Sequence, residues 1–394
     1  MRIAAFISHP IQYFTPLWRE LSTRPGVALE VFYFGRHGLE AAVDRDFGVR
    51  FAWNIDLLEG HKHRFLPRQW PTTDPLAYGP RALNSDLLSV LREGWDAVFI
   101  GGYAHLNNWF IAMACRQLDI PVLCFGDTNP RTNLNKSPVK LALKRAALSV
   151  FFRNVTAFLA AGGQSRRYFE LYGAKPESVF ICPYSVDVKR FRDSAARLDD
   201  VGRREWRRQL GLRDHQRIVM FCGKLVEWKR PGDIVQALAR LAREDLVGVF
   251  VGDGPLRKEL EREGGQRVRM LGFVNQSEIP QTLSMADVLV LSSSIEPYGM
   301  VVAEAQSLGV PAIVSDSCGC YGPGSVVADG VSGLVYPTGD VASLAASIER
   351  VLADDTRYAH MRQAARVQGD TQSEVAAADG LLDAVRFAAS ARRG

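Results

Sequence analysis

Two carboxylates, two ammonium groups and a helix start are the features of this 394-residue sequence best suited to chemistry. The segment Ser292-Ser293-Ser294-Ile295-Glu296-Pro297-Tyr298-Gly299-Met300 follows the apolar run Val288–Leu291. That order predicts a strand, a tight loop and a helix from Met300 to Leu308, stopped by Gly309. A helix start presents unpaired backbone N–H groups and partial positive charge, which suits a diphosphate. Glu296 stands before the helix, and Glu304 lies about one turn inside it, tilted back toward the start. Neither carboxylate would hold phosphate, but each can accept hydrogen bonds from sugar hydroxyls. Glu304 is equally explained as an ordinary acidic residue of a first helical turn.

A second loop, Gly223-Lys224-Leu225-Val226-Glu227-Trp228-Lys229-Arg230-Pro231, follows the apolar run Ile218–Cys222. Gly223 lets backbone approach a ligand, and Lys224 and Lys229 can face the same side. A cation about 4 Å from a phosphate is worth roughly 4 kcal/mol at an effective dielectric of 20, before desolvation. Taken alone, both lysines also fit a solvated loop. Val251-Gly252-Asp253-Gly254-Pro255-Leu256 begins like a dinucleotide fingerprint but has Arg257 where the third glycine belongs. Leu271-Gly272-Phe273-Val274 ends another apolar run and offers backbone groups to a nucleobase.

The elements that must position these loops are short apolar runs alternating with helical patterns, the mark of βαβ units and parallel sheets. In the first half the expected strands are Ile3–Ile7, Leu29–Phe34, Ala97–Ile100, Val122–Phe125, Ala157–Ala160 and Val179–Ile181. A second series runs Ile218–Cys222, Gly248–Val251, Val268–Leu271, Val288–Leu291, Ala312–Ser315 and Gly333–Val335. The polar stretch Arg192–Arg208 divides them. The expected fold is α/β, with two doubly wound Rossmann-like domains facing across a cleft. The first covers residues 1–191 and the second 192–372, and a C-terminal helix over 373–394 packs back on the first. In such sheets ligands bind at the carboxyl ends of the strands.

Composition is that of a folded globular chain, with 47% apolar and 23% charged residues. A net charge of +5 is too mild for a nucleic-acid reading, and Arg203–Arg208 reads as a solvated helix face. The six cysteines lack metal-ligand spacing and read as reduced, mostly buried thiols. The first ten residues read as a strand rather than a signal peptide, and no apolar run is long enough to span a membrane. A cytoplasmic location is expected, with peripheral attachment at the inner face of a membrane as an option. The basic, apolar stretch Val139–Arg153 either rests on anionic lipid or is a buried helix with snorkelling lysines.

The second half resembles retaining glycosyltransferase family 4, of the two-Rossmann-domain GT-B class. The resemblance runs over most of residues 177–350. It is carried by Pro183-Tyr184-Ser185-Val186-Asp187-Val188-Lys189-Arg190-Phe191, Gly223-Lys224 with Lys229, Gly252-Asp253-Gly254-Pro255, Leu271-Gly272-Phe273-Val274, Glu296…Glu304 with Gly299 between, Leu308-Gly309-Val310-Pro311 and Asp329-Gly330-Val331-Ser332-Gly333-Leu334-Val335. The resemblance implies that Lys224 and Lys229 hold a diphosphate and that Glu296 binds donor-sugar hydroxyls. It implies that Gly299, Met300 and Val301 contact the donor through N–H groups beside Tyr298. By the same token Glu304 binds ribose, and Phe273 and Val274 line the base pocket. The first half departs from the family. A histidine often follows the strand that here reads Val122–Phe125, where this chain has Gly126-Asp127-Thr128. Asp127 is the first replacement candidate and His9 the second; each also fits a structural role.

The activity so implied is transfer of a sugar from a nucleoside-diphosphate sugar to an acceptor hydroxyl, with retention, in polysaccharide or glycoconjugate biosynthesis. No cofactor and no metal are expected, because Asp44-Arg45-Asp46 lacks strand-end context. The acceptor is a glycan, a lipid-linked sugar or a small molecule. A nucleotide-sugar epimerase or a phosphorylase on the same fold, and a non-catalytic nucleotide- or sugar-binding protein, are the alternatives.

Overall fold

A computed structural model of the chain describes residues 1–40, 42–43, 50–70, 83–134 and 136–391. Asp44-Arg45-Asp46 lies outside the described residues. The chain forms two compact units, Met1–Ala42 with Phe51–Ser185 and Ser373–Gly394, and Val43–Arg50 with Val186–Gln372.

The first unit holds β1 (Arg2–Ile7), α1 (Thr15–Thr23) and β2 (Ala28–Gly35), and then, past two short strands β3 (Ala42–Val43) and β4 (Arg50–Phe51), β5 (His63–Trp70). It continues through α2 (Leu87–Leu91), β6 (Ala97–Gly101), α3 (Leu106–Gln117), β7 (Val122–Gly126), α4 (Pro138–Phe152), β8 (Ala157–Ala160), α5 (Gly163–Leu171) and β9 (Val179–Ile181). Its seven-stranded sheet has the order β5-β2-β1-β6-β7-β8-β9. Helices cover a parallel sheet on both faces, so its central strands are apolar throughout. Accordingly Ile3, Ala4, Ala5 and Phe6 are all fully buried.

β5 is the strand that the hydrophobic pattern did not announce. It pairs in parallel with β2 at the sheet edge, Val31 opposite His63. An edge strand tolerates charge and proline, so His63, Arg64, Pro67 and Arg68 concealed it.

The second unit contains α6 (Val188–Ala196), α7 (Asp200–Gln209), β10 (Arg217–Cys222), α8 (Pro231–Leu241), β11 (Leu246–Val251), α9 (Arg257–Gly264) and β12 (Val268–Gly272). There follow α10 (Ile279–Ser284), β13 (Val288–Leu291), α11 (Met300–Ser307), β14 (Ala312–Ser315), β15 (Gly333–Tyr336), α12 (Val341–Leu352) and α13 (Asp355–Asp370). The segment expected to divide the domains is therefore helical, falling on the successive helices α6 and α7 of the second unit. Asp187 and Asp199 cap them, accepting from the N–H groups of Arg190 (2.9 Å) and Gly202 (2.8 Å). The chain passes between units at Ser185–Val186, a few residues before Phe191. Past Gln372, α14 (Glu374–Ala391) returns to the first unit, where Gly380 lies so close to β9 that a Cβ would meet the Ile181 carbonyl oxygen at 2.0 Å.

The sheet of the second unit has the order β12-β11-β10-β13-β14-β15. Counted along the chain this is 3-2-1-4-5-6. The order reverses between β10 and β13, and in open α/β sheets ligands bind outside the carboxyl ends of the strands at such a reversal. The loops after those two strands are Gly223–Arg230 and Ser292–Gly299. In the first unit the same reversal falls between β1 and β6.

Candidate active site

Backbone contacts lock the strand-end loops of the second unit together. Gly223 N–H donates to the Val251 carbonyl (2.9 Å), Leu225 N–H to Asp253 (2.9 Å) and Gly252 N–H to Gly272 (2.7 Å). Gly252 has a φ of +129°, and a Cβ on it would lie 2.0 Å from the Gly223 carbonyl oxygen. The Gly252–Gly254 motif thus serves loop-on-loop packing, and no helix opens directly on it as a dinucleotide fingerprint requires.

The serine run after β13 holds the lysine loop from the other side of the reversal. Ser292 Oγ donates to the carbonyls of Lys229 (3.0 Å) and Arg230 (2.8 Å), and Ser294 N–H donates to Trp228 (2.7 Å). These bonds fix the short turn that carries Lys229. Its ammonium is hydrogen-bonded to the Glu296 carboxylate, and Ser293 Oγ donates to the same oxygen at 3.3 Å. The two side chains are 21% and 11% exposed, so the pair is largely withdrawn from water.

Gly299 opens α11 with a φ of +103° and no side-chain cap. A Cβ there would lie 2.6 Å from Leu291 Cδ2 and 3.4 Å from Glu296 Cγ. Glycine is therefore what lets the helix begin against the carboxylate. The first bond of this turn runs from Val302 N–H to the Gly299 carbonyl (3.0 Å), so the Met300 and Val301 N–H groups precede the ladder. Gly319 fastens the opposite side of the loop, its N–H donating to the Glu296 carbonyl at 3.1 Å.

Glu304 is buried on α11. It and Lys229 both act on the thiol of Cys222 at the end of β10. Burial, then the Glu304 charge, push that thiol far up, and Lys229 opposes them. Lys229, Glu296, Gly299 and Glu304 thus gather around the carboxyl ends of β10 and β13. Lys224 is half-buried two residues beyond Cys222, and Phe273 and Val274 are half-buried after β12. Tyr298 is placed differently. Its ring is buried and its hydroxyl donates to Gln372 Oε1 (2.5 Å), so the side chain points into the unit's interior.

In the first unit, His9 follows β1, His37 follows β2 and His105 precedes α3. His9 and His37 meet edge to face, ring centroids 5.0 Å apart. Burial, then His37 and then His105, lower the His9 pKa to about 3, so His9 is a neutral imidazole, 2.9 Å from Ser8 Oγ through Nδ1. Asp127 accepts from the Tyr184 hydroxyl (3.0 Å), which ties it to the aromatic group of Phe14, Phe125 and Tyr184. Sequence reasoning missed His37 and His105. The available signal was their position within a few residues of strand ends on either side of His9.

The family model for glycosyl transferases group 1 matches residues 202–368. A D-inositol 3-phosphate glycosyltransferase of Xylanimonas cellulosilytica is 31% identical over 308 residues, 74% of this chain and 72% of that protein. The chain belongs to the group 1 glycosyltransferases. A second D-inositol 3-phosphate glycosyltransferase, from Nocardia farcinica, is 30% identical over 236 residues, 56% of this chain but only half (50%) of that relative's length. In fold, the Anabaena protein Alr3699/HepE in complex with UDP and glucose superposes with a TM-score of 0.69, at 18% identity, over 98% of this chain and 99% of that one. The fold is therefore GT-B, built of two Rossmann-like domains.

Packing constrains the end of β7. A Cβ on Gly126 would lie 2.6 Å from Cζ of Phe169, a ring buried among Phe152, Phe158 and Tyr168. A side chain at position 126 would displace that core. Among the described residues, no cluster of His, Cys, Asp and Glu is arranged to hold a metal ion.

Proposed function

We propose that this chain transfers a sugar from a nucleoside-diphosphate sugar to an acceptor hydroxyl, with retention of anomeric configuration and without a metal. One observation carries the reading: a lysine, a carboxylate and an uncapped helix start meet at the reversal point of the second sheet. Lys229 with Lys224 and the Met300 and Val301 N–H groups provide positive potential for a diphosphate leaving group. Glu296 is the acceptor for donor-sugar hydroxyls and Glu304 for ribose, while Phe273 and Val274 flank the base. The UDP and glucose bound in the Anabaena relative support a UDP-sugar as the first donor to try.

In the proposed reaction the bond between the anomeric carbon and the phosphate oxygen breaks. The bond from that carbon to the acceptor oxygen forms on the same face, and the acceptor proton passes to a phosphate oxygen. Leaving-group stabilisation then supplies most of the catalysis, because charge develops on the diphosphate. The names of the relatives support an acceptor of polyol or sugar type.

Thermal-shift screening against nucleoside diphosphates and their sugars tests the donor, since a true donor stabilises the fold by mass action. Transfer with the hit is then followed by NMR, whose anomeric coupling reports the stereochemistry. Stabilisation by no nucleotide would end the proposal. Turnover of donor to an epimer without acceptor would replace it, and an inverted product would remove the same-face step.

A further inference from the structure

α4 is apolar on two opposite sides. Its inner side is formed by Leu148, Phe151 and Phe152, all buried, with Phe151 tilted against Trp109 (centroids 4.9 Å) and Phe152 against Phe158 (4.6 Å). Its outer side carries Val139, Leu143, Ala146 and Val150 at spacings of four, three and four, which places them in one stripe. Val139 is 68% exposed, Leu143 67% and Val150 54%. A crossover helix of an α/β domain ordinarily turns polar groups outward. Here the polar groups stand on the flanks, with Lys140 on one side of the stripe and Arg145 on the other.

Lys144 does not belong to that surface. Its ammonium donates to Asn133 (3.1 Å) and sits 5.0 Å over the Tyr168 ring, so it packs on the inner side.

Charge decides what covers the outer stripe. Lys136, Lys140 and Arg145 are exposed on α4 and the turn before it, and no Asp or Glu occurs between Asp127 and Glu170. A second copy meeting this face would set cation against cation, whereas a negatively charged surface fits it. No helix among the described residues is long and apolar enough to cross a membrane, so the contact is parallel to the surface. We propose that α4 docks the first unit on a bilayer containing anionic lipid, with Val139, Leu143 and Val150 entering the headgroup boundary and Lys140 and Arg145 on the lipid phosphates. α4 begins past the carboxyl end of β7, so the Val139 end of the docked stripe is the one nearest the sheet edge that carries His9 and Asp127. A lipid-borne acceptor would be delivered at that edge. The docking itself stands independently of the donor reading, because no part of the test uses turnover.

The experiment is vesicle co-sedimentation of the full chain, with phosphatidylcholine alone and with 30% phosphatidylglycerol as the probe, at about 0.1 and 0.5 M salt, the two being chosen to bracket effective screening. Binding is expected only with the anionic vesicles, and weaker at the higher salt. K140Q/R145Q should weaken it about thirtyfold. L143S/V150S should weaken it roughly tenfold or more while keeping every charge. All four side chains point outward, and unchanged melting curves verify folding. Equal sedimentation with neutral and anionic vesicles, or no sedimentation with either, would overturn the proposal without any variant. So would a concentration-dependent dimer lost in L143S/V150S alongside absent vesicle binding, which would assign the stripe to a protein contact.

Discussion

Glu296→Gln separates binding from catalysis by sign. The carboxylate holds the Lys229 ammonium and receives Ser293, and the side chain is only 11% exposed. The pair is electrically neutral, so a diphosphate arriving at the α11 start meets one cation already compensated. Glutamine keeps the shape and an acceptor oxygen for Lys229 and removes one negative charge. A carboxylate about 6 Å from a phosphate repels it by roughly 3 kcal/mol at an effective dielectric of 20, and mobile ions and water reduce this by about half. Nucleoside diphosphate should therefore bind about tenfold tighter to the variant. Transfer should move the other way, with kcat down on the order of a hundredfold, since the sugar hydroxyls lose a charged acceptor whose bonds are roughly twice as strong. Calorimetric titration with UDP at two salt concentrations gives the first quantity, and single-turnover transfer the second. Weaker nucleotide binding by the glutamine variant would refute the reasoning, because Glu296 would then be a support for Lys229 and not a charge facing the phosphates.

Lys229→Met should act oppositely, weakening UDP on the order of a hundredfold with a smaller salt dependence, measured by the same titration. Gly252→Ala sets a Cβ against the Gly223 carbonyl; the melting temperature should fall by several degrees (a loss on the order of 2 kcal/mol) and UDP affinity should drop with it. Transfer activity should survive EDTA; complete loss restored by manganese would count against the lysines. His9 has an ordinary pKa of 6.5 that folding lowers to about 3. The folded state then binds fewer protons, so stability is lost as pH falls from about 6.5 toward 3. His9→Gln should flatten acid unfolding across that window. A His9 imidazole resonance titrating near pH 6.5 would contradict it.

Much of the site was legible in the sequence because its parts are local. A strand, a serine run, Glu296, a glycine at positive φ and a helix are contiguous, and chain order alone places a carboxylate beside a helix start. Gly223 with Lys224 and Lys229 was legible for the same reason. Most strand positions followed from apolar runs, since parallel strands buried on both faces admit few other residues. β5 escaped because an edge strand is released from that demand.

Local sequence cannot say which loops become neighbours. Strand order makes β10 adjacent to β13, and only that adjacency sets Lys229 on Glu296 across 67 residues of chain. The same holds in the first unit, where three separate strand ends assemble His9, His37 and His105, and where Phe169 denies room to a side chain at Gly126. Residue types and their spacing determined what each loop offers. Which charges compensate one another, and which ring turns inward as Tyr298 does, was decided by packing at long range, where contact follows topology and not distance along the chain.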